Sequence, residues 1–327
     1  MLSMLVLLAS CDKGQKTENT NTTETQKELT KVSLVQEWFP NAGYAGELFA
    51  MNETDSTYKL DINLVAGSDN IDPVKLVMGG SSDFGVASAD KILVANSKGA
   101  DLVVVGVINY NSPTCFIAKE ELNVKTPKDF EGKTVGILTG TNTEYIYKAL
   151  VEKQKLNKAK IKEIEAPFDL ATFIANQYQI RPAFIYDEPV SLDMQGIKYT
   201  IIEPKNYDIH FLGTVYFTTR KMVTEKPEVV QGFVNALADG WLKSFQNPEK
   251  AIQYLKAYDK NIDEKRELLS LQKGMDYFKG QDGKVLYASM KEWEEMGKVL
   301  QSLSILKNND INNSVNNLFV DTYHKQK

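Results

Sequence analysis

The chain has 327 residues, 43% of them hydrophobic, enough to build one large or two medium domains with a real core, which excludes a disordered polypeptide. Its 43 acidic and 38 basic residues leave a formal charge of −5 with no basic cluster to track a phosphate backbone, so nucleic acid is excluded as a partner. Arginine occurs only at Arg181, Arg220 and Arg266, so bidentate clamps for a strongly anionic ligand are scarce.

Met1 to Leu8 is almost wholly apolar but too short to span a bilayer, and Leu8-Ala9-Ser10-Cys11 has the small residues that precede a lipid-modified cysteine. It resembles a bacterial lipobox, which predicts a signal peptide over 1–11 and lipidation of Cys11. Residues 12–30, rich in Thr, Asn, Glu, Lys and Gln, read as a polar tether. Anchor and tether predict a folded part working outside the cytoplasm, held at a membrane that it does not cross.

From Lys31 onwards short apolar runs alternate with helical patterns, the signature of an α/β fold with mixed, mainly parallel sheets. Val32 to Val35 is the first expected strand. It ends in Glu37-Trp38-Phe39-Pro40-Asn41, where Pro40 and Asn41 force a turn into a helix beginning near Gly46. Ligands of open α/β sheets sit at such carboxyl ends, and Trp38, Asn41 and Tyr44 are groups that grip a flat polar molecule; capping a core is their structural alternative. Leu60 to Val65 alternates like a strand, Asp72 to Met78 reads as a helix opened by Pro73, and Asp83 to Asp90 as a strand leading into a helix. Ser88 and Asp90 lie at that junction, Asp90 as a ligand contact or a helix N-cap.

Leu102 to Ile108 is a β-branched strand, and Asn109 to Pro113 break it into a crossing to a second lobe. There Thr114 to Lys119 and Thr134 to Leu138 read as strands. Thr139-Gly140-Thr141-Asn142-Thr143 opens a helix whose free N–H groups, with Thr141 and Asn142, attract ligand oxygens or serve only as a cap. Pro182 to Tyr186 reads as a strand that presents Tyr186, Asp187 and Glu188. Tyr186 has a ring to stack on a heterocycle and Glu188 an acceptor for the N–H pair of an aminopyrimidine, the alternative being an acidic first turn of a helix. Ile209 to Phe217 reads as a strand returning to the first lobe, which makes two crossings. Helices are expected from Pro227 through Trp241 and over 248–258, 263–271, 289–302 and 313–323. The expected division is 31–109 plus 212–327 as lobe 1 and 110–211 as lobe 2.

His210 and His324 stand far apart with no metal-ligand spacing around them, and no phosphate-loop or dinucleotide fingerprint occurs. No cofactor, metal or catalytic residue is expected. The run Glu37-Trp38-Phe39-Pro40-Asn41 with Tyr44-Ala45-Gly46, then Asp72-Pro73-Val74-Lys75-Leu76 leading to Gly80-Ser81-Ser82-Asp83-Phe84-Gly85-Val86, then Leu122 to Gly136, resembles the substrate-binding proteins of ATP-driven (ABC) importers, in the branch of nitrate, sulfonate and thiamine-pyrimidine-precursor binders. The resemblance runs from about Lys31 to the C-terminus. It implies a type II periplasmic-binding-protein fold, two lobes on a two-stranded hinge that close on a small ligand. It further implies a monomer that delivers the ligand to a membrane permease, with Trp38, Asn41 and Tyr186 around a pyrimidine ring and Glu188 on its N–H groups. Tyr44 stands where relatives often carry His. Fungal pyrimidine synthases of the same fold consume their own histidine, and the matching first-lobe motifs here offer none, so a binder is expected rather than an enzyme. The rival readings are a sulfonate or nitrate binder, a pyrimidine-processing enzyme using His210 or Glu188, and a surface adhesin.

Overall fold

The computed structural model describes residues 29–307 and 311–327. The signal peptide expected over 1–11, its Cys11 and the tether as far as residue 28 lie outside the described residues. The chain runs β1 (Thr30–Val35), α1 (Ala45–Phe49), β2 (Leu60–Val65), α2 (Pro73–Met78), β3 (Phe84–Ser88), α3 (Ala89–Ser97) and β4 (Leu102–Val107). It continues with β5 (Thr114–Lys119), β6 (Thr134–Ile137), α4 (Asn142–Lys153), β7 (Lys162–Glu165), α5 (Ala171–Ile174), β8 (Ile180–Phe184), α6 (Glu188–Met194) and β9 (Tyr199–Ile202). After β10 (Thr214–Thr219) the remaining elements are helical: α7 (Arg220–Glu225), α8 (Pro227–Gln246), α9 (Pro248–Tyr258), α10 (Glu264–Phe278), α11 (Met290–Ser302) and α12 (Leu318–Gln326).

The strands form two five-stranded sheets, ordered β2-β1-β3-β10-β4 and β7-β6-β8-β5-β9. Three parallel strands occupy one side of each: β1 lies between β2 and β3, and β6 between β7 and β8. The strand next to a crossing, β10 in one sheet and β5 in the other, runs antiparallel to both of its neighbours. In each sheet the chain leaves the middle parallel strand in one direction and comes back on its other side, so a switch point opens at the carboxyl ends of β1/β3 and of β6/β8. The chain crosses between the sheets at 108–113 and 203–213.

The edge strand β2 alternates buried and exposed residues, while every residue of β4 is buried. β4 is covered at the outer edge of its sheet by residues 314–316, where Val104 N–H donates to Ser314 O and Val104 O accepts from Asn316 N–H. That pairing corrects the helix expected from 313: the chain is extended at the Val104–Val315 bridge, and α12 begins only at Leu318. Two further boundaries move. β8 starts at Ile180 because Ile180 and Arg181 pair with Ala118 and Ile117, which leaves Tyr186 in the turn beyond the strand. Residues 209–213 are not strand. Ile209, Phe211 and Leu212 are apolar because the crossing itself is buried, and Gly213 packs so closely on Asn109 that a Cβ would lie 2.6 Å from that side chain.

Behind the β1 turn, α1 crosses the long helix α8 at Gly46 and Gly240. A Cβ on Gly240 would stand 2.2 Å from the backbone oxygen of Gly46, and one on Gly46 would strike the Trp241 ring. The close approach seats Trp241, fully buried, beside a chain of polar groups. Its indole N–H donates to Tyr216 Oη at 2.9 Å, Tyr216 bonds Glu47, and Gln36 Nε2 donates to Glu47 Oε2 at 2.7 Å. Glu47 is completely buried with no cation beside it, and burial pushes its carboxyl up from 4.5 to about 8. Gln36 Oε1 and Glu47 Oε1 have no hydrogen-bond partner.

Gly240→Ala should destabilise the protein by about 2–3 kcal/mol through overpacking against backbone. Gly106→Ala, whose added carbon meets only contacts of 3.4–3.6 Å, should change stability by less than about 1 kcal/mol; urea melts of the two variants check the contrast. For Glu47 the folded state holds a proton between pH 4.5 and about 8 that the unfolded chain has released, so stability falls as pH rises through that window. One such group contributes up to about 1.4 kcal/mol per pH unit. Thermal unfolding from pH 5 to 8 should therefore lower Tm more steeply for the wild type than for Glu47→Gln; equal slopes would refute the assignment.

Candidate functional site

The two switch points face each other, and the residues after β1 and β3 form the first wall. Trp38 is half-buried, with its ring centroid 5.4 Å from Phe39 in an edge contact and 5.1 Å from Phe168, which belongs to the opposite lobe. Its backbone N–H donates to the hydroxyl of buried Tyr44 at 2.9 Å, so Tyr44 holds the turn from behind. Asn41 spends both ends of its amide locally: Oδ1 accepts from Gly43 N–H at 2.7 Å and Nδ2 donates to Phe39 O at 2.8 Å. The expected grip by Trp38, Asn41 and Tyr44 thus resolves into one half-exposed ring and two residues that shape its support.

At the end of β3, Ser88 occupies the cap position of α3 without a side-chain capping bond. Asp90 lies inside the first turn, which corrects its reading as the N-cap. It is 3% exposed, and its Oδ1 has no hydrogen-bond partner. Burial first, and then the charge of Glu37, push its carboxyl up to about 7. Glu37 is itself bound by Lys91 at 2.9 Å, an ion pair that joins the β1 turn to α3. The sequence marks Glu37 only as part of the β1 turn and does not mark Lys91, although each adjoins a residue singled out for the site.

The second wall comes from the ends of β6 and β8. Gly140 has φ of +78°, a conformation open to glycine, and turns the chain into α4. Thr141 donates its hydroxyl to Leu138 O at 2.7 Å and lies 2.8 Å from the Thr143 hydroxyl; Asn142 is buried at the first helical position. One turn on, Tyr145 has its hydroxyl pushed up by burial and then by the charge of Asp90. Tyr186 is buried rather than presented. Its ring lies 5.0 Å from Phe278, and its hydroxyl bonds Asn109. Glu188 is also engaged: Oε2 accepts from Phe184 N–H at 2.8 Å, and Oε1 faces the fully buried Arg181 guanidinium at 3.3 Å. Burial and the charge of Asp187 push the Glu188 carboxyl up to about 7 against the pull of Arg181. His210 lies exposed on the second crossing.

Ties between the lobes run along α10. Arg266 bonds Asp187 and donates to Ser191 Oγ at 3.1 Å, and the adjacent Glu267 accepts from Ala42 N–H at 2.7 Å in the β1 turn. Lys273 reaches Asp193 at 3.1 Å, and Tyr277 donates to Glu203 at 2.6 Å. A cavity of about 190 Å³ opens elsewhere, on the outer side of the first sheet, beside Asn96, Asp101 and Arg220. Its polar side chains are already bonded, Asn96 to Leu102 and Ser314 and Arg220 to Asp101, so they leave little for a ligand. Among the described residues no group of three or more His, Cys, Asp or Glu is placed to hold a metal, and no helix is long and apolar enough to cross a membrane.

A family model described as NMT1/THI5-like matches residues 58–251. The chain is 26% identical over 263 residues to the formylaminopyrimidine-binding protein of Halalkalibacterium halodurans, covering 78% of this chain and 76% of that one. It is 20% identical over 297 residues to the 4-amino-5-hydroxymethyl-2-methylpyrimidine phosphate synthase of Legionella pneumophila, covering 89% and 92%. Among solved structures it is similar to the periplasmic aliphatic sulphonate binding protein of Escherichia coli, with a TM-score of 0.70 at 14% identity over 86% of this chain and 91% of that one. The shared architecture is the two-lobe periplasmic-binding-protein fold.

Proposed function

The chain belongs to the NMT1/THI5-like family, and from that premise we propose that it is the extracytoplasmic substrate-binding protein of an ABC importer, capturing a small heteroaromatic ligand of the aminopyrimidine class. The observation that carries this reading is the contact of Trp38 with Phe168, one aromatic ring from each lobe meeting over the paired switch points. A planar ring entering there gains stacking area from both lobes at once, and only contacts to both lobes favour closure. The relative named for formylaminopyrimidine binding supports the ligand class. On this reading the lobes are 31–109 with 212–327, and 110–211; Cys11 carries the lipid anchor, and the closed monomer docks on a membrane permease.

Trp38 supplies the stacking face, Ser88 and Asp90 line the first lobe, and Thr141 and Asn142 present the start of α4. Asn41, Tyr44, Tyr186 and Glu188 hold the walls. A relative named as a synthase gives the enzyme reading a definite form, in which purified protein forms a product from a pyrimidine.

In a thermal-shift and calorimetric screen of the intact chain, an aminopyrimidine at 100 times its Kd should stabilise by about 2.7 kcal/mol, a shift of several degrees, while alkanesulfonates and nitrate give none. Trp38→Ala should weaken binding about 10- to 100-fold through lost stacking and burial. A shift with anions alone would transfer the fold to another ligand class, and turnover of the pyrimidine would replace the transport reading by the enzymatic one.

A further inference from the structure

Asp90 is a costly residue to keep. Its carboxylate is buried at the carboxyl end of the sheet, Oδ1 has no partner, and the nearest cation, Lys91, is committed to Glu37 at 2.9 Å. β3 and β1 are parallel neighbours, with Leu34 opposite Phe84 and Val35 opposite Gly85, so the turns bearing Glu37-Trp38 and Ser88-Asp90 emerge side by side. A buried acceptor without a donor is rare in a settled fold and needs an explanation. Here the missing donor has a source in the ligand, because the acceptor lies at the switch point between β1 and β3, where ligands of open α/β sheets sit.

We propose that Asp90 is the residue that pairs with the ligand, accepting one N–H from an exocyclic amine on a planar heterocycle, and that Glu37 beside it excludes ligands carrying a negative charge at that end. The inference rests on the reading of the chain as an aminopyrimidine receptor and moves the acidic partner from Glu188, whose oxygens Arg181 and Phe184 already occupy, to the first lobe. Ser88 and the residue's own backbone N–H already bond the Asp90 carboxyl while Oδ1 has no partner, so the contact is a single charge-assisted hydrogen bond to Oδ1. The ligand would be held before closure, its ring on Trp38 and its amine on Asp90, and the second lobe would then close over it. A phosphate ester or sulfonate at the amine end would meet two carboxylates against one lysine.

The test uses the intact chain and three probes: 4-amino-5-hydroxymethyl-2-methylpyrimidine, the same ring without the 4-amino group, and alkanesulfonate. Calorimetry should show the amine binding about 10-fold more weakly to Asp90→Asn, which keeps the shape and loses the charge, and about 100-fold more weakly to Asp90→Ala. The ring lacking the amine should bind weakly and with equal affinity to the wild type and to Asp90→Asn. The unliganded Asp90→Asn protein should melt at the wild-type temperature or above it, because a buried unpaired charge is gone; a purely structural aspartate would lower Tm and leave the amine preference intact. Equal affinity of the amine for the wild type and both variants overturns the inference while the receptor reading stands. No binding of either pyrimidine to the wild type overturns the reading and the inference together.

Discussion

Asn109 ties the two crossings to each other, to α10 and to the turn beyond β8. It sits almost fully buried on the first crossing, its backbone oxygen accepts from Gly213 N–H at 2.9 Å on the second crossing, and its Oδ1 accepts from Thr214 N–H at 3.3 Å. Its amide nitrogen reaches Tyr277 O on α10 at 3.5 Å, and its side chain bonds the Tyr186 hydroxyl from the second lobe. One amide thereby fixes the spacing of the two connections, the seat of α10 and the end of β8. Its neighbours follow from that constraint. Only a glycine fits at Gly213 against its Cβ, and an aromatic ring at Tyr186 can reach it only by burying itself among Phe184, Tyr277 and Phe278.

With the crossings fixed, the angle between the lobes is set by contacts farther out, and these are of two kinds. α10 supplies partly exposed ion pairs and hydrogen bonds, Arg266 to Asp187, Lys273 to Asp193 and Tyr277 to Glu203. Such contacts are individually weak, on the order of 0–1 kcal/mol, because water competes for the same groups. The cleft itself opposes closure wherever it buries an unpaired acceptor. A receptor of this design can be nearly balanced without ligand and driven shut by a ligand that supplies the missing donor, since a ligand shifts the equilibrium only by the difference in its contacts to the two states.

The framework was legible in the sequence where the signal was local. Pro40 and Asn41 ending β1, Pro73 opening α2, Gly140 turning into α4 and the β-branched run of β4 each act through their own backbone, and each stands where the pattern put it. Ser88 and Asp90 were singled out for the same reason, at a strand-to-helix junction. What was not legible is pairing across distance. The ties of α10 join residues 74 to 80 positions apart, and nothing near Arg266 or Lys273 marks a partner in another lobe. Glu188 shows the converse. Its type and position at a strand end fit a ligand acceptor, but the buried guanidinium of Arg181 consumes it, and an arginine seven residues upstream on an apparent core strand gives no warning of that. The apolar run at 209–213 misled because burial and strand formation leave the same hydrophobic trace when a connection passes through the core.

The distribution of charge between the walls bears on what the cleft can hold. The first lobe contributes acceptors, Asp90 and Glu37, with Lys91 bound to Glu37; the second contributes the start of α4, whose dipole favours an acceptor. A molecule that bridges the two must therefore be polarised, donating toward the first lobe and accepting toward the second. An aminopyrimidine is built that way, with an exocyclic amine on one edge and ring nitrogens on others. On the proposed reading a sulfonate or nitrate satisfies the α4 side alone and leaves Asp90 Oδ1 buried without a donor, so the energy it gains on one lobe works against closure on the other. The same backbone architecture serves a named sulphonate binder; on the proposed reading, the carboxylate at the end of β3 is what separates the two chemistries.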